Sequence, residues 1–124
     1  MSYGSSIMHD NTFIEKDWKL FRKLLPRWQE RYMEMLIKEY SVILSKDVNA
    51  SEKFWELEKR IWIDKKKSGV CIRGLRRSRM LEHIMSLLND GTIKLDDLED
   101  FSDSLRDRLD SYIQLMEHKE SRES

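Results

Sequence analysis

Apolar residues recur at positions 18, 21, 25, 28, 32, 35 and 36 of the chain, the three-and-four spacing of a helix that buries one face. Thr12 and Glu15 sit three apart ahead of this run, as in a capping box, and the pattern predicts one long helix from about 13 to 45. Pro26 falls inside it, but Leu25, Trp28 and Tyr32 stay in phase across the proline, so a kink is expected rather than a break. Trp18, Phe21, Leu24, Leu25, Trp28, Tyr32, Met35 and Leu36 are the expected core face. Met33, Ile37, Tyr40 and Leu44 form a second apolar stripe, so the C-terminal half of this helix needs cover on a second side. Shorter helices can provide it; a homodimer seam along those four residues is the alternative.

After a loop at 47 to 50, Ser51 caps a predicted second helix that runs to about Lys67 and carries Phe54, Trp55, Leu57, Ile61 and Trp62. Phe54, Leu57 and Ile61 are expected inside. Trp55 and Trp62, seven residues apart, are expected at the edge, and tryptophan is the side chain most enriched in binding hot spots. Ser68-Gly69 ends this helix, a third is predicted from about 72 to 89 and a fourth from about 95 to 118. The fourth has a core stripe of Leu98, Phe101, Leu105, Leu109, Tyr112 and Met116, opposed by Asp96, Asp100, Asp103, Asp107 and Asp110. Like charges at these spacings cost a few tenths of a kcal/mol per pair, so the stripe reads either as a solvated face or as a docking face for a basic partner.

These elements make an all-α fold, a small antiparallel bundle of four helices with a long first helix. Two long helices are expected side by side, with the two short ones over their seam. The 124 residues suit one domain over 12–118, with disordered tails at 1–11 and 119–124. Composition agrees: one proline and four glycines leave little punctuation for a sheet, and 37% of the residues are charged.

The formal net charge is zero, so attraction to nucleic acid has to come from a local patch. Segment 65–79 is such a patch, with seven basic residues and no acid. Its lysines close the second helix, where the dipole favours cations; Arg73, Arg76, Arg77 and Arg79 open the third, where it does not, and phosphate would compensate them. A helix-turn-helix does not fit, because Lys65 would occupy the small buried position.

The motifs of catalysis are absent. Asp90-Gly91-Thr-Ile93 resembles half a calcium loop, but in that register a ligand position falls on Leu88 and the bidentate position on Asp97 rather than a glutamate. The stretch is read instead as a helix stop, with Gly91 left-handed and Ile93 folded back. Neither His83 nor His118 follows a glutamate by three residues, and the glycines match no nucleotide fingerprint. Cys71, alone in a V-C-I run, is expected to be a small core residue and implies no disulfide framework. No enzyme activity, metal or cofactor is expected. No apolar run is long enough to span a bilayer, the N-terminus lacks a signal-peptide pattern, and a cytoplasmic location follows.

The stretches Trp28-Gln-Glu-Arg-Tyr-Met33, Lys38-Glu-Tyr40, Phe54-Trp-Glu-Leu-Glu-Lys-Arg-Ile61, Asp64-Lys-Lys-Lys-Ser-Gly-Val70 and Asp97-Leu-Glu-Asp-Phe-Ser-Asp-Ser-Leu105 together resemble a family of short uncharacterised proteins of anaerobic gut bacteria, some automatically labelled "multidrug transporter". The resemblance covers about residues 13 to 110 and implies no catalytic or binding residues. A transporter label conflicts with a chain that has no spanning segment. The expected function is a non-catalytic interaction protein, a regulator or adaptor with an unidentified protein partner, acting through Trp55, Trp62 and the aspartate stripe. The alternative is a nucleic-acid-binding accessory protein using segment 65–79.

Overall fold

A computed structural model describes residues 2–123, with side chains from 15 to 119. Apart from Glu15 and Lys119, the expected tails and the capping box begun by Thr12 lie outside the described side chains. The described residues form an all-α bundle of four helices, α1 (Ser2–Leu44), α2 (Ala50–Asp64), α3 (Met80–Asn89) and α4 (Asp103–Glu123), with single 3₁₀ turns at Arg77–Arg79 and Leu95–Leu98. No helix among them is long and apolar enough to cross a membrane.

Helix α1 is the spine and runs through Pro26 without interruption. Around its middle third, Phe21, Leu25 and Trp28 meet Met80, Ile84 and Leu87 of α3, Ile93, Leu98 and Phe101 of the linking segment, and Leu105 and Leu109 of α4 in one core. Aromatic packing continues through it: Phe21 lies 6.1 Å from Trp28 in an edge arrangement, and its ring is parallel to that of His83 at 6.4 Å. The expected α4 stripe is core only as far as Leu109; Tyr112 and Met116 are 54% and 43% exposed.

The predicted third and fourth helices both begin later than their apolar pattern. Residues 71–76 stay irregular, with Gly74 at φ 68°, and the backbone N–H of Arg76 donates to Nε2 of buried His83 at 3.3 Å. Cys71 is exposed, since the extended segment gives its V-C-I run no helix face to bury. The fourth helix breaks at Glu99–Ser102 because a buried acid on α1 captures the turn. Asp17 accepts the Ser102 N–H at 3.0 Å and the Ser102 hydroxyl at 2.6 Å, and Ser102 Oγ in turn accepts the N–H of Leu105, capping α4.

Asp90-Gly91 is a helix stop. Gly91 has φ 78°, its N–H donates to Leu88 O and that of Thr92 to Leu87 O, and Ile93 is buried against the end of α3. The Asp90 carboxylate accepts the Ser68 N–H at 2.7 Å, tying the α2 exit to the α3 exit. Gly69 in that exit touches α1 so closely that an added Cβ would clash with the Tyr32 ring and Thr92 Oγ1.

His83 gives the fold a pH dependence. Burial, and then the Arg79 charge, hold its imidazole below the ordinary 6.5, against a smaller opposing pull from Glu82. The unfolded chain therefore takes up more protons between the two values: the stabilisation is full above pH 6.5 and is lost as pH falls through the folded value. Melting temperature is expected to drop between pH 7 and 5, and His83→Gln, which keeps an acceptor for Arg76 but cannot ionise, is expected to flatten that drop. An equal slope in both proteins would assign the acid sensitivity elsewhere.

Candidate interaction surface

A five-residue connection, 45–49, returns α2 antiparallel along the C-terminal half of α1. The seam between them joins buried Leu36 and Ile43 of α1 to a polar network. Tyr40 donates its phenol hydrogen to Asp64 at 2.6 Å; burial, and then this bond, push the phenol up to about 12. Arg60 lies 3.6 Å from Asp64, 3.5 Å from Glu39 and over the Tyr40 ring at 5.7 Å. Lys46 grips Glu56 at 2.7 Å. Asp64 is the only fully buried residue of α2.

These pairs fix which side of α2 faces out. At 100° per residue, Lys53, Leu57, Arg60 and Asp64 lie on the seam, so Trp55 and Trp62 point away from it and Phe54 and Ile61 lie on one flank. Exposure follows that geometry: Phe54 62%, Trp55 63%, Ile61 38% and Trp62 55%. Phe54 and Ile61 were expected in the core and are surface instead: the face of α1 that carries Tyr40, with buried Leu36 and Ile43 beside it, takes Leu57, Arg60 and Asp64 of α2.

The second stripe of α1 is corrected in the same way. Ile37 and Leu44 are 60% and 50% exposed within the chain, while Met33 and Tyr40 are half-buried. Helix α2 covers Tyr40 of this stripe and leaves Ile37 and Leu44 open. In an antiparallel pair, equal angular offsets from the seam lie on the same flank. Glu39 and Lys46 share one flank with Arg60 and Glu56, and Ile37 and Leu44 therefore share the other with Phe54 and Ile61. One apolar face thus spans both helices. Phe54 and Trp55 pack edge to face at 5.0 Å, and the Lys66 ammonium sits 3.4 Å over the Trp62 ring.

At roughly 150–250 Å² for each fully exposed large side chain, the uncovered part of this face is on the order of 700 Å². The largest apolar patch of an ordinary monomer is about 300–600 Å². Trp55 and Trp62 were legible in the sequence as edge residues; Phe54 and Ile61 were not, although oppositely charged Glu39 and Lys46 facing Arg60 and Glu56 were a readable sign of which side of α2 meets α1.

The other candidate residues do not converge on it. Asp96 lies in the 3₁₀ turn Leu95–Leu98 and Asp100 in the break after it, so only Asp103, Asp107 and Asp110 remain on a common helix, all exposed. Asp103 pairs with Arg106 on its own helix. Arg73 and Arg76 lie in the irregular segment, and Arg77 and Arg79 in the 3₁₀ turn before α3. Arg77 pairs with Glu15 and Arg79 with Glu82, so two of the four arginines are neutralised within the chain. Arg73 and Arg76 form no ion pair among the described residues. Arg31 joins α1 to the turn at Asp97 at 3.0 Å. Burial alone would raise the Asp97 carboxyl, but the bonds from Arg31 and the Lys94 N–H, with the charges of both, hold it below the usual range.

The fold and surface define an all-α bundle with an uncovered aromatic face. No family model, curated protein or solved structure matches the chain.

Proposed function

We propose that this chain is a non-catalytic interaction protein, a regulator or adaptor, whose docking surface is the outer face of the α1–α2 hairpin. The observation that carries the reading is the inversion of α2: its polar side meets α1, and Phe54, Trp55, Ile61 and Trp62 face outward. A 15-residue helix is marginal by itself, and aromatic side chains left in water gain most when a partner covers them.

A photo-reactive phenylalanine analogue at position 62 tests this in living cells. A discrete cross-linked adduct is expected there and not from the same analogue at Lys19, on the other half of α1, and Phe54→Asp is expected to abolish it. Absence of any discrete adduct at position 62, in a strain where the protein is folded and abundant, would overturn the reading.

A further inference from the structure

A cavity of about 350 Å³ lies where the exit of α2 meets α3, within the roughly 300–1,000 Å³ range of small-ligand sites. Four cations line it, Lys65, Lys66, Arg73 and Arg79, and no carboxylate does. The acids around it are engaged elsewhere: Asp64 with Tyr40 and Arg60, Asp90 with the Ser68 N–H, and Glu82 with Arg79. Lys66 rests over the Trp62 ring. Lys65 and Arg73 have no ion-pair partner among the described residues. Like charges gathered round one concavity repel, and an anion bound among them removes that cost.

The wall also holds a donor without an acceptor. His83 lines the cavity and is 7% exposed, and its Nε2 accepts the Arg76 N–H, which places the ring proton on Nδ1. No described residue accepts that Nδ1–H. Ser68, on the same wall, is fixed from behind: Gln29 donates to its carbonyl oxygen at 3.0 Å and Asp90 accepts its N–H at 2.7 Å. A rim held in this way is ordered before any ligand arrives.

We infer that this cavity binds a small phosphorylated ligand, its phosphate held by Lys65, Arg73 and His83 and its remainder lying against Ile72. The inference is independent of the docking reading. A phosphate monoester brings about −1.5 to −2 charges and three strong acceptor oxygens to a site with several cations and a free N–H, whereas a carboxylate brings one charge and two oxygens. A compact ligand fits better than a nucleic-acid strand. Arg76 and Arg77 do not line the cavity and Arg77 is paired with Glu15, so the basic residues form a cup and not a track along which a backbone could run.

Cys71 is exposed and lines the same cavity, so its thiol reports occupancy. The full chain is titrated with inorganic phosphate, and with sodium chloride of equal ionic strength, while alkylation of Cys71 by iodoacetamide is followed by mass spectrometry. Phosphate is expected to slow alkylation saturably, by at least about threefold at a concentration several times its Kd. Lys65→Gln and Arg73→Gln, with helicity unchanged, are each expected to raise the phosphate concentration for half-protection at least about fivefold. Arg76→Gln removes the same charge outside the cavity and is expected to change it less than about twofold. Absence of protection, or equal protection by chloride, overturns the inference. So does protection that Lys65→Gln and Arg73→Gln leave intact or that Arg76→Gln weakens as much, because a filled site must depend on its own lining. Acetate as effective as phosphate would overturn the ligand class. Protection by a single-stranded oligonucleotide that Arg73→Gln and Arg76→Gln weaken alike would overturn it in favour of a nucleic-acid surface.

Discussion

Replacing Phe21 by Ala is expected to destabilise the protein by about 3–5 kcal/mol, the range for deleting a fully buried aromatic ring from a packed core. Phe21 is completely inaccessible, stacks on Trp18 at 5.8 Å, and touches the aromatic rings of Trp28 and His83. It is the point at which α1 and α3 meet, so the cavity would open between helices and not at an edge that can collapse. Against a total stability of about 5–15 kcal/mol for a domain of this kind, the loss approaches the threshold for folding. Urea denaturation followed by circular dichroism measures it. Phe54→Ala is the control. With 62% of Phe54 exposed, the expected change is within about 0.5 kcal/mol. Equal losses at the two positions would mean that α2 packs by its aromatic side after all.

The second large effect is expected at Asp17. Its carboxylate is buried, takes both polar hydrogens of Ser102, and lies at the N-terminus of α4, where the helix dipole favours a negative charge. Asp17→Ala leaves the Ser102 N–H without its partner in a dry setting and frees the cap that holds α4, and the expected cost is about 2–4 kcal/mol. Ser102→Ala removes the hydroxyl bonds while leaving its N–H to Asp17, with an expected cost of about 1–2 kcal/mol. Because the two residues share one network, the double variant is expected to lose less than the two single losses combined. Strict additivity in the same denaturation experiment would show that Asp17 acts on something other than this cap.

The helical class, the long first helix, the stop at Gly91 and most of the core of α1 were legible in the chain, because each depends on neighbours three or four residues away or on one residue's backbone freedom; Met35, expected inside, is 46% exposed, and buried Ile43 was not expected there. Gly91 is the clear case: its left-handed conformation and the return of Ile93 are local geometry. Phe54 shows where that reasoning stops. Its spacing with Leu57 and Ile61 is that of a buried stripe, yet periodicity reports only that a helix has an apolar side and never which neighbour will meet it.

That choice was made by distant pairs. Tyr40 with Asp64, Glu39 with Arg60 and Lys46 with Glu56 turn α2 onto its polar side, and Asp17 ends one helix at Ser102 from 85 residues away in the chain. The basic cluster was divided partly in the same manner: Glu15 claimed Arg77 from 62 residues away, while Glu82 holds Arg79 within one turn. Local sequence thus determined where helices form and which residues are apolar. Only the tertiary structure decided which apolar residues are core and which are surface, because the orientation of a helix is set by ion pairs and hydrogen bonds whose partners lie far apart along the chain.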